Sequence, residues 1–337
     1  MTACAGPAGP AGPAGPAGPA GPAGPAGPAG AAGAAGESAN LTCAECHNDT
    51  HLIASKTAAW EIEKHGNGAS MAEEYGNKSC AYCHSGNSFS EAVAAGKNFT
   101  QLEAGASEPA RQDCRTCHQI HVTSTSADWA LETTAPVAMV VSTATFDGGT
   151  GNLCANCHQA RRYMANFPAK DSAGAVIPDK YAPSIRFNTH LSDQSDIMLG
   201  VLDVNKILGV EGKPGAHYTM VENTCVGCHL GEGQNHTFEA QVATCVKCHA
   251  DAKDLNVNGY NFEEQFKELH DALVAKGLLT EEGVAVDKDA AGNQVVLDPK
   301  PAAALFVYGA LEEDASMGAH NPTYVKALIA AALEALK

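Results

Sequence analysis

Hydrophobic and polar positions alternate with a helical period at only a few places in this 337-residue chain. The pattern predicts helices over residues 52–64, 193–208, 262–277, 302–312 and 323–336. It also predicts extended backbone over residues 167–183 and a short hairpin over 284–297 that turns at 290–293. Elsewhere the pattern is irregular, so we expect a loop-rich fold of mostly helix and coil with one small hairpin near the C-terminus.

Six copies of Cys-x-x-Cys-His lie between these elements and use twelve of the thirteen cysteines. They are Cys43–Cys46–His47, Cys80–Cys83–His84, Cys114–Cys117–His118, Cys154–Cys157–His158, Cys225–Cys228–His229 and Cys245–Cys248–His249. This spacing is the attachment signature of a c-type haem, in which two thiols bind the porphyrin vinyl groups and the histidine binds the iron. The motifs therefore predict six haem c groups, with these six histidines as proximal ligands.

Other uses of paired cysteines explain the motifs less well. Cys225, Cys228, Cys245 and Cys248 have the spacing of a zinc ribbon, but a zinc site does not require a histidine directly after each pair. A redox Cys-x-x-Cys motif normally occurs once, near a βαβ pattern, and no such pattern is visible. Disulfides do not need spacing as regular as this. Haem attachment is the interpretation that uses the histidine of every copy.

Eight histidines lie outside the motifs and are candidates for the second axial ligand. Six haems with two histidines each would use six of them, so no iron has to stay open. From their positions relative to the motifs we select as distal ligands His65, His121, His190, His217, His236 and His320. We leave out His51, four residues after His47, and His270, within a predicted amphipathic helix.

Composition supports a haem-filled interior. Aromatic residues make up only 6% of the chain, which is a thin supply of core for an ordinary domain of this length. Porphyrins would supply the missing apolar surface. We expect a haem-binding core over residues 37–255 and a helical segment with the hairpin over 256–337, which packs on the core and delivers His320.

Several stretches around these residues resemble a known family. They are Gly151 to Arg161, Thr189-His190 with Asp193 and Gln194, His217 before Cys225, Asn235-His236-Thr237-Phe238 before Cys245, and His320-Asn321-Pro322. The first four resemble outer-surface multihaem c-type cytochromes of metal-reducing bacteria, and the last is similar to a tail motif of the more distant nitrite-reductase-related group. The resemblance covers about residues 40–255 and the tail, and it implies stacked bis-histidine haems that exchange electrons. The nitrite-reductase group has a catalytic haem held by lysine, whereas all six motifs here end in histidine, so we expect no enzyme of that kind.

The N-terminus has a different pattern, with glycine at every third position from Gly6 to Gly36 and eight Ala-Gly-Pro triplets. This is a collagen-like repeat, which predicts either a monomeric polyproline-II tether over residues 1–36 or a trimeric stalk. Cys4 stands before it, after small residues typical of a lipoprotein cleavage box, and is either lipidated or a free thiol. Since c-type haems are attached outside the cytoplasm, we expect an export signal, which the chain does not contain, and a location outside the cell or on the outer membrane.

The formal net charge of −17 limits the partners. It excludes nucleic acid, and membrane contact is expected only through a lipid on Cys4. Other c-type cytochromes, metal oxides and soluble metal are the expected partners of an extracellular electron-transfer protein. Two alternatives stay open: a subunit that polymerises into a conductive filament, and a reductase with one open iron.

Overall fold

Helices of the computed structural model are short except near the C-terminus. The structure describes residue 47 and residues 52–68, 76–190, 192–231, 234–254 and 261–337. The repeat, Cys4, Cys43, Cys46 and His51 lie outside these residues. In chain order the α-helices are α1 Leu52–Glu61, α2 Lys64–Asn67, α3 Ala81–His84, α4 Gly86–Ala94, α5 Cys114–Cys117, α6 Asn152–Ala155, α7 Gln194–Leu199, α8 Asn205–Leu208, α9 Ala216–Met220, α10 Cys225–His229, α11 Val242–Cys245, α12 Phe262–Ala275, α13 Pro299–Asp314 and α14 Pro322–Ala335.

Single helical turns hold the cysteine motifs, as α3, α5 and α10 show. In such a turn, residues three apart share one face, so both thiols of a motif point the same way. Asp113 starts α5, where its carboxylate accepts hydrogen bonds from the backbone N–H groups of Arg115 and Thr116 at 2.9 and 3.3 Å. This cap allows a turn of four residues to form where helix propensity alone would not suffice.

Two antiparallel strand pairs are the regular β-structure of the described residues. Strand β1, Val137–Ala138, pairs with β2, Thr145–Phe146. Strand β3, Pro168–Lys170, pairs with β4, Val176–Tyr181, which confirms extended backbone within residues 167–183. The predicted hairpin over 284–297 reverses near residue 290 as expected, but it forms isolated bridges such as Lys288 with Gln294 and no regular strands.

The predicted helix over residues 193–208 is wrong as one element, because it divides into α7 and α8 at Gly200. Gly200 has φ +73°, a left-handed conformation that glycine adopts without strain. A Cβ atom at Gly200 would lie 2.6 Å from the backbone nitrogen of Lys213. The close approach of these two loops therefore requires glycine and ends α7.

The C-terminal helices form the largest hydrophobic core. Helix α13 is buried on almost every side, between α12, α14 and the segment around Met164 and Ile197. The structure extends the first predicted C-terminal helix slightly at both ends and shifts the second by one residue toward the N-terminus. Each begins with proline at its first turn, Pro299 and Pro322. Within the described residues, no helix has the length and apolarity needed to cross a membrane.

Between α13 and α14 the chain turns, and Asn321 fixes that turn. Asn321 is 2% exposed, and its side-chain amide donates to the backbone oxygens of Ile197, Met198 and Lys213 at 3.1, 3.2 and 2.9 Å. Its Oδ1 accepts from the backbone N–H of Tyr324 and caps α14. The residue before it, His320, is thereby held against the loops that carry the motifs.

Candidate haem-binding sites

Each histidine that ends a Cys-x-x-Cys-His motif lies opposite one histidine from outside the motifs. The pairs, with ring-centroid distances, are His47–His121 at 6.1 Å, His84–His190 at 6.4 Å, His118–His236 at 6.3 Å, His158–His65 at 6.1 Å, His229–His320 at 6.3 Å and His249–His217 at 6.2 Å. All six histidines predicted as distal ligands take part. The partners are distant in sequence, so the fold brings them together.

The spacing of the pairs fits an iron between the rings. Two imidazoles bound on opposite sides of one metal ion, each through a bond of about 2 Å, have ring centroids roughly 6 Å apart. The interplanar angles range from 25° to 83°, yet the distance hardly changes. If the rings packed directly on each other, the centroid distance would vary with the interplanar angle. An iron between the two rings explains a distance that does not vary. The residues present therefore fit haem.

Backbone carbonyls orient four of the paired histidines. The Nδ1 atoms of His118, His229 and His236 each lie 2.7 Å from a carbonyl oxygen, those of Trp129, Phe238 and Gln234. The Nδ1 of His217 lies 2.5 Å from the carbonyl oxygen of Ala319. A carbonyl can only accept, so the proton sits on Nδ1 and the lone pair of Nε2 is left for a metal.

At three other histidines, a side chain is the acceptor for Nδ1–H. His158 Nδ1 lies 3.0 Å from Gln194 Oε1, and His65 Nδ1 lies 3.2 Å from the carboxylate of Glu63. His320 Nδ1 lies 2.6 Å from Asp314 Oδ1. The side-chain amide of Gln194 also donates to the backbone oxygen of Asp314 at 3.4 Å, so the end of α13 is linked to two of the pairs.

His190 is different, because its Nδ1 lies 3.1 Å from the guanidinium of Arg162. A guanidinium has no acceptor, so a neutral His190 carries its proton on Nε2 in this arrangement. Binding a metal through Nε2 would require that proton to move and Arg162 to turn away. The guanidinium of Arg162 also donates to Asn188 Oδ1 at 3.0 Å, a contact that would keep it nearby.

Burial keeps several of these imidazoles neutral, which is the form that binds metal. Burial and the neighbouring His65 lower the pKa of His158 to about 4. Burial and the cations of Arg161 and Arg162 lower the pKa of His190 to about 4. At His320 burial acts in the same direction, but the Asp314 carboxylate outweighs it and raises the pKa.

Cysteines of different motifs approach one another, which shows which motifs are neighbours. A hydrogen bond between the thiols of Cys83 and Cys157 lowers the pKa of Cys83 and raises that of Cys157. A similar bond to Cys154 lowers the pKa of Cys225 to about 6. The second, fourth and fifth motifs therefore follow one another in space.

Phe238 connects three of the histidine pairs. Its ring lies 5.2 Å from that of His65 and 5.7 Å from that of His236, and its carbonyl oxygen accepts from His229. In the sequence, Phe238 appeared only as the last residue of a stretch that carries the family resemblance, with no role assigned to it. The sequence also assigned no role to the residues that hold Nδ1 atoms, because a Cys-x-x-Cys-His motif does not specify them.

His270, which the sequence analysis left out as a ligand, takes part in none of the six histidine pairs. Its ring contacts Tyr308 at 5.8 Å, and its Nδ1 lies 3.2 Å from Asp271 on the surface of α12.

Arginines near the motifs contact backbone oxygens: Arg111 donates to the carbonyl of Gly66 and Arg161 donates to the carbonyl of Ser79.

Comparisons with known proteins bear on the family and the fold of this chain. Residues 32–119 match the family model described as cytochrome c7 and related cytochrome c. In structure, the outer cell wall cytochrome OcwA has a TM-score of 0.51 with this chain at 17% identity, covering 84% of this chain and 50% of OcwA. The chain has the fold of a multihaem cytochrome. An undecahaem cytochrome from the S-layer of Carboxydothermus ferrireducens is 19% identical over 81% of this chain and 40% of its own, with a TM-score of 0.47.

The likeness to OcwA and the match to the family model confirm the mostly helical and coil fold and the resemblance to multihaem c-type cytochromes of the cell exterior. The chain spans about half of the length of OcwA. A search of curated proteins finds no significant match to the sequence.

Proposed function

We propose that this chain is an extracellular electron-transfer protein that holds six haem c groups, each between two histidines. The observation that carries the proposal is the uniform distance of 6.1–6.4 Å between the rings of the six histidine pairs. Each pair joins a motif histidine to one other histidine of the same chain. The cysteines of each motif would attach the porphyrin, and the two histidines would hold its iron.

When bound, a haem of this type supplies a low-spin iron that changes oxidation state by one electron. The residues of the chain bind it, orient it and shield it from water. Carbonyl, amide and carboxylate acceptors hold Nδ1–H of seven histidines and so direct Nε2 inward. The closeness of Cys83 to Cys157 and of Cys154 to Cys225 supports neighbouring sites that lie side by side, as an electron path requires.

Two alternatives receive less support. A filament whose subunits share ligands would need a histidine from a neighbouring chain, whereas all six pairs form within one chain. A reductase would need an iron with an open position, whereas every motif histidine has a second histidine opposite. Both observations favour relay of electrons over catalysis and over ligand-sharing assembly.

The proposed partners are other c-type cytochromes, metal oxides and soluble metal, in keeping with the net charge of −17. The proposed location is outside the cell, with the repeat over residues 1–36 as a tether and a lipid on Cys4. Deletion of the repeat should then release the protein from the cell surface and leave its haem content unchanged. Loss of a trimer on deletion would indicate a collagen-like stalk in place of a tether.

Haem quantitation on the purified full chain tests the central proposal. Pyridine haemochrome absorbance, with intact mass, should give six haems per chain, and resonance Raman spectra should show low-spin six-coordinate iron. Fewer than six haems would contradict the count. A dominant five-coordinate high-spin signal would contradict the ligation and support a reductase.

A further inference from the structure

The histidine pair His229–His320 differs from the others in the group that holds its second histidine. His320 Nδ1 lies 2.6 Å from Asp314 Oδ1, and the side chain of Asp314 is only 1% exposed. At four other paired histidines, Nδ1 faces a neutral backbone carbonyl, and at His158 it faces a neutral side-chain amide. A buried carboxylate is a stronger acceptor than any of these, since its charge is poorly screened.

The turn after α13 holds Asp314 in place. The hydroxyl of Ser316 donates to Asp314 Oδ2, and the backbone N–H of His320 donates to that hydroxyl at 3.3 Å. Asp314 and His320 are thus linked through Nδ1 on one side and through Ser316 on the other. The carboxylate has one oxygen for the imidazole and one for the hydroxyl.

Glu63 is the other carboxylate that faces a paired histidine, and it is the weaker partner. Its oxygen lies 3.2 Å from His65 Nδ1, and the side chain of His65 is 39% exposed, against 19% for His320. The same oxygen of Glu63 also accepts from the backbone N–H groups of His65 and Gly66, at 2.7 and 3.1 Å. Its charge is therefore shared among three donors, and its side chain is 9% exposed against 1% for Asp314.

We propose that Asp314 gives the His229–His320 site the lowest reduction potential of the six. This inference rests on the proposed function, because it concerns a haem held by that pair. A strong hydrogen bond from Nδ1–H to a carboxylate makes the imidazole a better electron donor and favours the ferric form of the iron it binds. Asp314 acts as a positioning residue, through His320.

Spectroelectrochemical titration of the full haem-loaded chain tests this with Asp314→Asn, which keeps an acceptor and removes the charge. The low-potential end of the titration should move up by about 59 mV or more, the shift that corresponds to a tenfold change for a one-electron couple. The high-potential end should not move, and haem content and low-spin spectra should stay as in the parent. Glu63→Gln is the matched control, and its shift should be clearly smaller.

Ser316→Ala supplies an independent variant of opposite sign. Without the hydroxyl, the carboxylate is a stronger acceptor for His320, so the low-potential end should move down. The inference is overturned if Asp314→Asn leaves that end unchanged or shifts it no more than Glu63→Gln. If Asp314→Asn loses haem, Ser316→Ala decides, and an unchanged or raised low end overturns the inference. These outcomes concern the variants alone. The proposed function is tested separately, by the haem content and spin state of the unchanged protein.

Discussion

The ring of Phe238 lies 5.2 Å from the ring of His65 and nearly perpendicular to it, at 77°. The same residue has φ +53°, a left-handed conformation that is uncommon for an aromatic side chain. Such a conformation persists where surrounding contacts require it, and functional sites are where it concentrates. Here the backbone of Phe238 turns its carbonyl to His229 while its ring reaches His65 and His236. Three of the six histidine pairs therefore depend on one residue.

Replacing Phe238 with leucine should disturb two of the six sites. The ring contacts with His65 and His236 would be lost, while the carbonyl bond to His229 would persist. Electron paramagnetic resonance of the oxidised protein should show altered low-spin signals for two haems and unchanged signals for the other four. Phe266→Leu, in the C-terminal core beside Tyr308, is the control and should change none. Equal changes in all six signals would contradict a local role.

Replacing His320 with alanine should open one iron. The side chain lies opposite His229, and the chain turn that carries it is fixed by Asn321. One haem should become high-spin, its potential should rise, and it should bind carbon monoxide when reduced. His270→Ala is the control, because His270 packs on Tyr308 and should leave all six haems low-spin. A wholly low-spin His320→Ala variant would show that another group binds that iron.

Sequence reasoning predicted the set of second histidines but not their pairing. The count of six irons gave the number of second histidines, and their positions relative to the motifs selected which six. Each of these lies opposite a motif histidine; that they bind iron stays a prediction. The pairing could not be predicted because it joins residues that are far apart in the sequence. His65, for example, lies opposite His158, 93 positions later. Asp314 was missed for a different reason: it lies only six residues before His320, but no periodic pattern encodes the turn after α13 that brings the two side chains together.

Local elements followed the sequence where packing did not interfere. The helix from Phe262 ends within two residues of its predicted end, because an apolar face every three or four residues suffices to place it. The break at Gly200 depends on a contact with Lys213 that no local pattern encodes. The domain division at residue 255 remains a prediction.

Asn321→Ala should destabilise the chain by about 3 kcal/mol. The substitution removes a helix cap worth about 1 kcal/mol and the two N–H groups of an amide that is shared among three carbonyls, at roughly 1 kcal/mol for each N–H group. Chemical denaturation followed by far-ultraviolet circular dichroism measures the change. Asn261→Ala is the matched control, since Asn261 starts α12 without a side-chain cap and is exposed. Equal effects of the two variants would show that Asn321 acts only as a helix start.

Asp203→Asn should change how stability depends on pH. Burial raises the pKa of Asp203 to about 6, although its carboxylate accepts from the backbone N–H of Met164 at 2.8 Å. A carboxyl whose pKa is raised by folding adds stability below its unfolded pKa near 4, and that stability is lost as pH rises through about 6. The parent should therefore lose on the order of 2 kcal/mol between pH 4 and pH 7 through this group, and the asparagine variant should not. Asp171→Asn, in an exposed turn, is the control and should keep the parental slope. If the difference in unfolding free energy between parent and Asp203→Asn is the same at pH 4 and pH 7, Asp203 does not titrate in this range.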